Sequence, residues 1–216
     1  MTDTDEPTAR QQAVLDAVLS LMVEEGDQLT MTAVARRASC SKETLYEWFG
    51  DRDGLLAATV RWQAARVRAG RYDRPSLDIA TLRDSLKGFA ATWLTVISSP
   101  TSIALNRLAI SHAASRKSNL GGIVLENGRF AIGERFRPVL EAGRDAGLLA
   151  FEDSETAFRS FFGLVGRDVQ IRLLLGDALT FGRDEIERDA DRATDQFLAL
   201  YGRAASSTKI SPAPEA

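Results

Sequence analysis

Three residues suited to capping helices, Thr30, Ser41 and Asp51, follow one another at intervals that leave room only for brief helices. A hydroxyl or carboxylate just before an apolar-periodic stretch accepts hydrogen bonds from amides that the first helical turn leaves open. Thr30 predicts a short helix through Ala38, Ser41 another through Trp48, and Asp51 a longer one reaching about Gly70. Ahead of them Val14, Val18, Leu21 and Met22 recur at three- and four-residue steps from Ala9 to Glu25, with Gly26 placed to close the helix. Short helices packed this closely can bury their apolar sides only against one another and against the longer neighbour.

The rest of the chain keeps the same period. Pro75 interrupts the polar stretch from Arg71 to Ser76, because proline lacks the amide donor that a helix interior uses. Leu82, Leu86, Phe89, Trp93 and Ile97 resume helical spacing, and Ser99 with Pro100 reads as the cap and first position of the next helix. Further helices are expected from about Leu120 to Arg144, from the acidic turn Glu152, Asp153 and Ser154 to Leu175, and from about Asp184 to Tyr201. Apolar alternation with period two is missing and no internal repeat stands out, so the expected class is all-α. The division that follows is a helix-turn-helix head over residues 1–50, a connecting helix and linker over 51–74, a ligand-binding and dimerisation bundle over 75–203, and a disordered tail over 204–216.

In 216 residues, 44% hydrophobic and 26% charged, there is material for a sizeable core. Cys40 is the only cysteine and His112 the only histidine, which excludes an internal disulfide and the usual zinc sets. No metal or cofactor is expected. Enzyme readings are weak for the same reason, since nucleophile and base pairs are scarce and no glycine-rich phosphate loop follows a strand. The acidic start Met1 to Pro7 has no apolar run, and no segment is long and apolar enough for a membrane span, so a cytoplasmic protein without membrane contact is expected. Net charge is −3, and any affinity for a polyanion must therefore come from a local site.

Such a site is available. On the second helix Val34, Ala35 and Ala38 share one face, and on the third Leu45, Trp48 and Phe49 do, which lets the first brace the second while the opposite faces stay polar. Arg36 and Arg37 lie outward or on the flank of the bracing helix, and Thr44 and Tyr46 flank the next, where such side chains suit phosphate contacts.

The run Thr30 to Leu55 resembles the DNA-binding domain of the TetR family of repressors. Thr30, the pair Val34 and Ala35, Ala38, Ser41 and Lys42, Thr44 to Tyr46, Phe49 and Leu55 all stand in family positions, and the resemblance covers about residues 8–60. It implies a two-fold homodimer on double-stranded operator DNA, with Thr30, Lys42, Thr44 and Tyr46 as contacts and Arg52 in place of a common phosphate-holding lysine. The full candidate set adds Thr32, Arg36, Arg37, Ser41, Glu43 and Glu47. Ser39 departs from the pattern, standing where a turn glycine is common, and Cys40 where a valine is frequent. Glu43 and Glu47 lie one turn apart on the groove-facing side; each either accepts from cytosine N4 or pairs locally with Lys42 or solvent.

Cys40 reads as a small buried hydrophobe before it reads as a redox sensor, and His112 as a structural histidine before a ligand contact. The run Asp51 to Gly54 looks like the start of a calcium loop but lacks the later ligands, so it reads as a helix start. In the second half, resemblance to the family's ligand-binding domains is one of pattern. It implies a pocket for a small hydrophobic effector, for which Trp62, Phe89, Trp93, Leu108, His112, Phe130 and Phe158 are the candidates. The nearly unbroken apolar stretch Phe161 to Gly166 and the stripe Ile186, Ala190, Ala193, Phe197 and Leu200 predict dimerisation through the last two long helices. The function expected is a ligand-controlled repressor; the alternative is a helical small-molecule binding protein that has no operator.

Overall fold

Side chains set the helix starts. Thr8 opens α1 (Ala9–Glu25) with a reciprocal capping box to Gln11, Thr30 opens α2 (Met31–Arg37), Ser41 opens α3 (Lys42–Phe49) and Asp51 opens α4 (Arg52–Ala64). Asp78 does the same for α5 (Ile79–Ile97) and Asp153 for α9 (Ser154–Gly166). Both of these carboxyls are held below the usual carboxylate range by hydrogen bonds from the helix starts they cap, Thr81 leading for Asp78 and Thr156 for Asp153. The remaining helices are α6 (Pro100–Ser115), α7 (Leu120–Val124), α8 (Ala131–Asp145), α10 (Val169–Leu174) and α11 (Arg183–Tyr201).

The computed structural model describes residues 6–26, 29–68, 70, 72–115 and 118–203. Among the described residues no strand forms; one isolated bridge ties Leu149 to Gly202, fastening the α8–α9 turn to the end of α11. No single helix there is long and apolar enough to cross a membrane. The expected disordered tail, residues 204–216, lies outside the described residues.

Apolar side chains gather into two cores. In the bundle, α5, α8, α9 and α11 enclose stacked rings: Phe89 lies on Phe136 at 3.9 Å between centroids, Phe136 on Phe161 at 5.4 Å, and Trp93 against Phe162 at 3.8 Å. The other core joins Val14, Val18, Val34, Leu45 and Leu56 of the first four helices to Leu105, Leu108 and Ala109 of α6 and Leu120 and Ile123 of α7. The head therefore closes on two helices that lie far along the chain.

Several elements differ from expectation. The connecting helix ends at Ala64, not near Gly70. Arg135 of α8 donates to the Ala64 carbonyl at 2.7 Å, and Val67 turns inward to become buried in the bundle core. The expected helix from Leu120 to Arg144 contains a π-helical turn at Leu125–Phe130, and the one ending at Leu175 breaks at Arg167, whose φ is +40°. The apolar stripe of the last helix is largely taken up inside the chain itself: Ala190, Ala193 and Phe197 are buried in the bundle core, leaving Leu200 outside. Gly166 also serves packing within the chain, because a Cβ there would stand 3.2 Å from the Trp93 ring.

Candidate nucleic-acid interface

The geometry of α2 and α3 follows from Leu45, which is fully buried among Val34, Ala35 and the side chains of α1 and α4. With that side of α3 facing inward, Lys42, Glu43, Tyr46 and Glu47 are exposed and Thr44 is half-buried. Trp48 and Phe49 pack edge to face at 6.2 Å and lie half-buried against the head core, as does Cys40. Between the helices the chain turns through Ser39, at φ +51°. Serine thus occupies the left-handed conformation for which glycine is the unstrained choice.

Thr30 and Ser41 serve first as caps. Thr30 Oγ1 accepts from the Ala33 amide at 3.1 Å, and Ser41 Oγ accepts from the Thr44 amide and pairs with the Thr44 hydroxyl, both at 3.0 Å. Thr32 and Arg36 are exposed on α2 and Arg52 is half-buried at the start of α4. Arg37 is differently placed: its guanidinium grips Glu24 of α1 through both nitrogens. The ion pair holds the Glu24 carboxyl below its ordinary range. Glu43 is held low as well, chiefly by its own backbone amide and then by the Ser41 hydroxyl, with the charge of Lys42 adding. It is a carboxylate at neutral pH, set one residue from the exposed Lys42.

The candidate effector residues are divided between the two cores and the surface. Phe89, Trp93 and Phe158 sit in the aromatic core of the bundle, packed on neighbouring rings. Leu108 belongs to the head-side core, and His112 is buried nearby with Nδ1 2.6 Å from Ser118 Oγ. Phe130 is 47% exposed at the end of the π-helical turn. Trp62 faces α1: its indole N–H donates to Asp16 Oδ1 at 2.8 Å, and Arg66 reaches the same oxygen at 2.8 Å while lying over the indole ring. Sequence reasoning missed Asp16 and Arg135, whose partners lie 46 and 71 residues away in the chain.

Comparison with known proteins decides what this arrangement is. Residues 14–59 match the model of the bacterial regulatory proteins of the tetR family, and residues 84–203 that of the AefR-like transcriptional repressor C-terminal domain. The chain belongs to the TetR family. A crystallised TetR transcriptional regulator from Agrobacterium tumefaciens is 46% identical, with a TM-score of 0.76 over 91% of this chain and 96% of that one. The flavonoid-responsive regulator FrrA is 25% identical, with a TM-score of 0.65 over 91% of this chain and 98% of its own. The HTH-type transcriptional regulator BetI of Burkholderia thailandensis is 40% identical over 74 residues, a match spanning 31% of this chain and 38% of BetI. The TetR-family chain is thus a DNA-binding transcriptional regulator with a helix-turn-helix head; its family and relatives are regulators rather than enzymes.

Proposed function

We propose that this regulator is a repressor, acting in the cytoplasm as a homodimer on a palindromic double-stranded operator and released by a small hydrophobic effector. The observation that carries the reading is the shared core: the side chains that hold α3 in place also pack against Leu105, Leu108 and Ala109 of α6 and Leu120 and Ile123 of α7. A ligand that shifts α6 or α7 therefore moves the head, and the helix-turn-helix is useful on DNA only if two heads keep a fixed spacing. FrrA is named as flavonoid-responsive, which favours a hydrophobic effector here.

On DNA, Lys42, Arg36 and Arg52 are assigned to phosphates, Thr44 and Tyr46 to the groove wall, Thr30, Thr32 and Ser41 to the backbone near the helix starts, and Glu43 and Glu47 to base edges. Arg37 takes part only when it lets go of Glu24. Pairing of protomers is assigned to the outward faces of α9 and α11, where Arg159, Gly163 and Leu200 are exposed and the space beside Gly163 is open. The units follow as a head over 1–50, a connector over 51–74 and a bundle over 75–203.

Footprinting of the DNA upstream of its own gene tests this reading. A protected palindrome, lost on titration with a hydrophobic compound that binds the protein, is the expected result. Absence of any protected site leaves the rival, a ligand-binding protein without an operator.

A further inference from the structure

Two arginines from outside the helix hold the end of α4. Arg135 of α8 donates from Nη2 to the Ala64 carbonyl at 2.7 Å and from Nε to the Ala131 carbonyl of its own helix at 3.3 Å, while Arg68 donates from Nε to the Ala65 carbonyl at 3.2 Å. Ala64 and Ala65 are neighbours, so the two guanidinium groups are drawn to one place. Burial against its surroundings, and then the charge of Arg68, hold Arg135 below the ordinary arginine range. Arg68 is also fixed at its backbone: the amide donates to Thr92 Oγ1 at 3.1 Å and the carbonyl accepts from that hydroxyl at 3.0 Å. One turn earlier on α4, Arg61 donates to Asn127 Oδ1 at 3.0 Å and brings a third cation to the same seam.

Among the described residues none of these three arginines forms an ion pair. Acids nearby are engaged elsewhere, Asp16 by Arg66, Glu155 by Arg129 and Glu134 by Arg137. Carbonyls accept hydrogen bonds without neutralising the donor. The C-terminal end of a helix carries roughly half a negative charge, against a full positive charge on each of two arginines, so positive charge remains in excess. Like charges brought together favour a shared counter-ion. Both Arg68 and Arg135 are exposed, and both have donors to spare, since a guanidinium carries five N–H groups and Arg135 has committed two of them and Arg68 one. Planar forks of this kind match the oxygens of a carboxylate or a phosphate. DNA is the wrong occupant: α4 has 13 residues and a length of about 20 Å, which separates this end from the Asp51 cap beside the helix-turn-helix.

We propose that Arg68 and Arg135 together bind the anionic oxygen group, carboxylate or phosphate, of a small effector, and that its binding changes operator affinity. The second step rests on the effector-released reading above and narrows it, giving the hydrophobic effector an acidic end. Its mechanical basis is that the anion joins α8 to the segment leaving α4, the helix whose Leu55, Leu56 and Val60 are packed in the head core.

The test uses the isotope-labelled full chain, with benzoate and inorganic phosphate as anionic probes and benzamide, which has the shape of benzoate without its charge, as control. Benzoate or phosphate is expected to shift the Nε–H resonances of Arg68 and Arg135 while benzamide leaves them in place, and the anion that does so separates an organic acid from a phosphate compound. Binding should weaken as salt is added. Arg68→Gln, an exposed change that spares the hold of Arg135 on Ala64, is expected to cost the anion roughly tenfold or more in affinity, the value of one hydrogen bond to a charged group. The same variant should abolish the effect of the anion on the footprinted operator fragment. Equal shifts with benzamide, anions seated only on the side chains of α2 and α3, or an anion bound at Arg68 and Arg135 with unchanged operator affinity would each overturn the proposal. Operator affinity that already falls in Arg68→Gln with no anion present assigns the pair to DNA and overturns it as well. If neither anion reaches the two arginines while a hydrophobic compound still releases the operator, the site falls and the effector reading stands. If no compound releases the operator, the effector reading falls and the coupling falls with it.

Discussion

The two cores of this protein are built by different means. In the bundle the chain stacks large flat rings from four helices, so each side chain is held by neighbours on several elements. In the head, aliphatic side chains from short helices meet around Leu45, and α6 and α7 supply the missing wall. The contrast teaches that the bundle is stabilised from within, whereas the head depends on a seam with the bundle. One core resists change, and the other is placed to report it.

The severest way to break this comparison is to hollow out the rings. Phe136→Ala removes a side chain that stacks on both Phe89 and Phe161, and a loss of about 3–5 kcal/mol in urea unfolding is expected. Because the head leans on the bundle, operator binding should disappear with it. Leu45→Ala should cost about 2–5 kcal/mol by the same cavity argument. Hydrogen exchange in that variant should rise in α1 to α4 and in the middle of α6, while α5 and α11 stay protected. Uniform exchange across the chain would show that the two cores form one cooperative unit.

Surface changes sharpen the comparison further. Lys42→Ala should weaken operator binding and reduce the slope of log affinity against log salt by about one, without changing the unfolding midpoint. Glu43→Ala is the informative partner in the same titration. Affinity gained on every sequence means that the carboxylate only repels phosphate, whereas specificity relaxed at one base pair means that it reads cytosine. The smallest effect is reserved for the turn. Ser39→Gly relieves a left-handed serine at the cost of a more flexible unfolded chain, so a net gain of about 0.5–1 kcal/mol is expected by thermal unfolding.

Much of the head could be read directly from the sequence because its determinants are local. Thr30, Ser41 and Asp51 each act on an amide three residues away, and Ser39 declares its turn by standing at its apex. The end of α4 was not legible, since it is set by Arg135 from the far side of the chain. Trp62 illustrates the same limit: its spacing fits a pocket wall as well as any other face, and only the fold brings Asp16 to its indole. Phe89, Trp93 and Phe158 show a further one. Periodicity says that a residue faces inward, but it does not tell a ring that lines a cavity from a ring that fills one. The apolar stripe of α11 has the same limit, because burial against α5, which takes up Ala190, Ala193 and Phe197, and burial against a second chain leave the same pattern.

The seam between head and α6 also bears on how such regulators can be recombined. A chimera that joins the first four helices of this chain to another bundle severs no peptide bond of consequence, yet it discards Leu105, Leu108, Ala109, Leu120 and Ile123 from beneath the transplanted part. The natural unit of exchange is therefore discontinuous along the chain: residues 1–64 travel successfully only with a graft of the matching α6 and α7 side chains, and a hybrid sensor spliced at the linker alone inherits a reader without its floor.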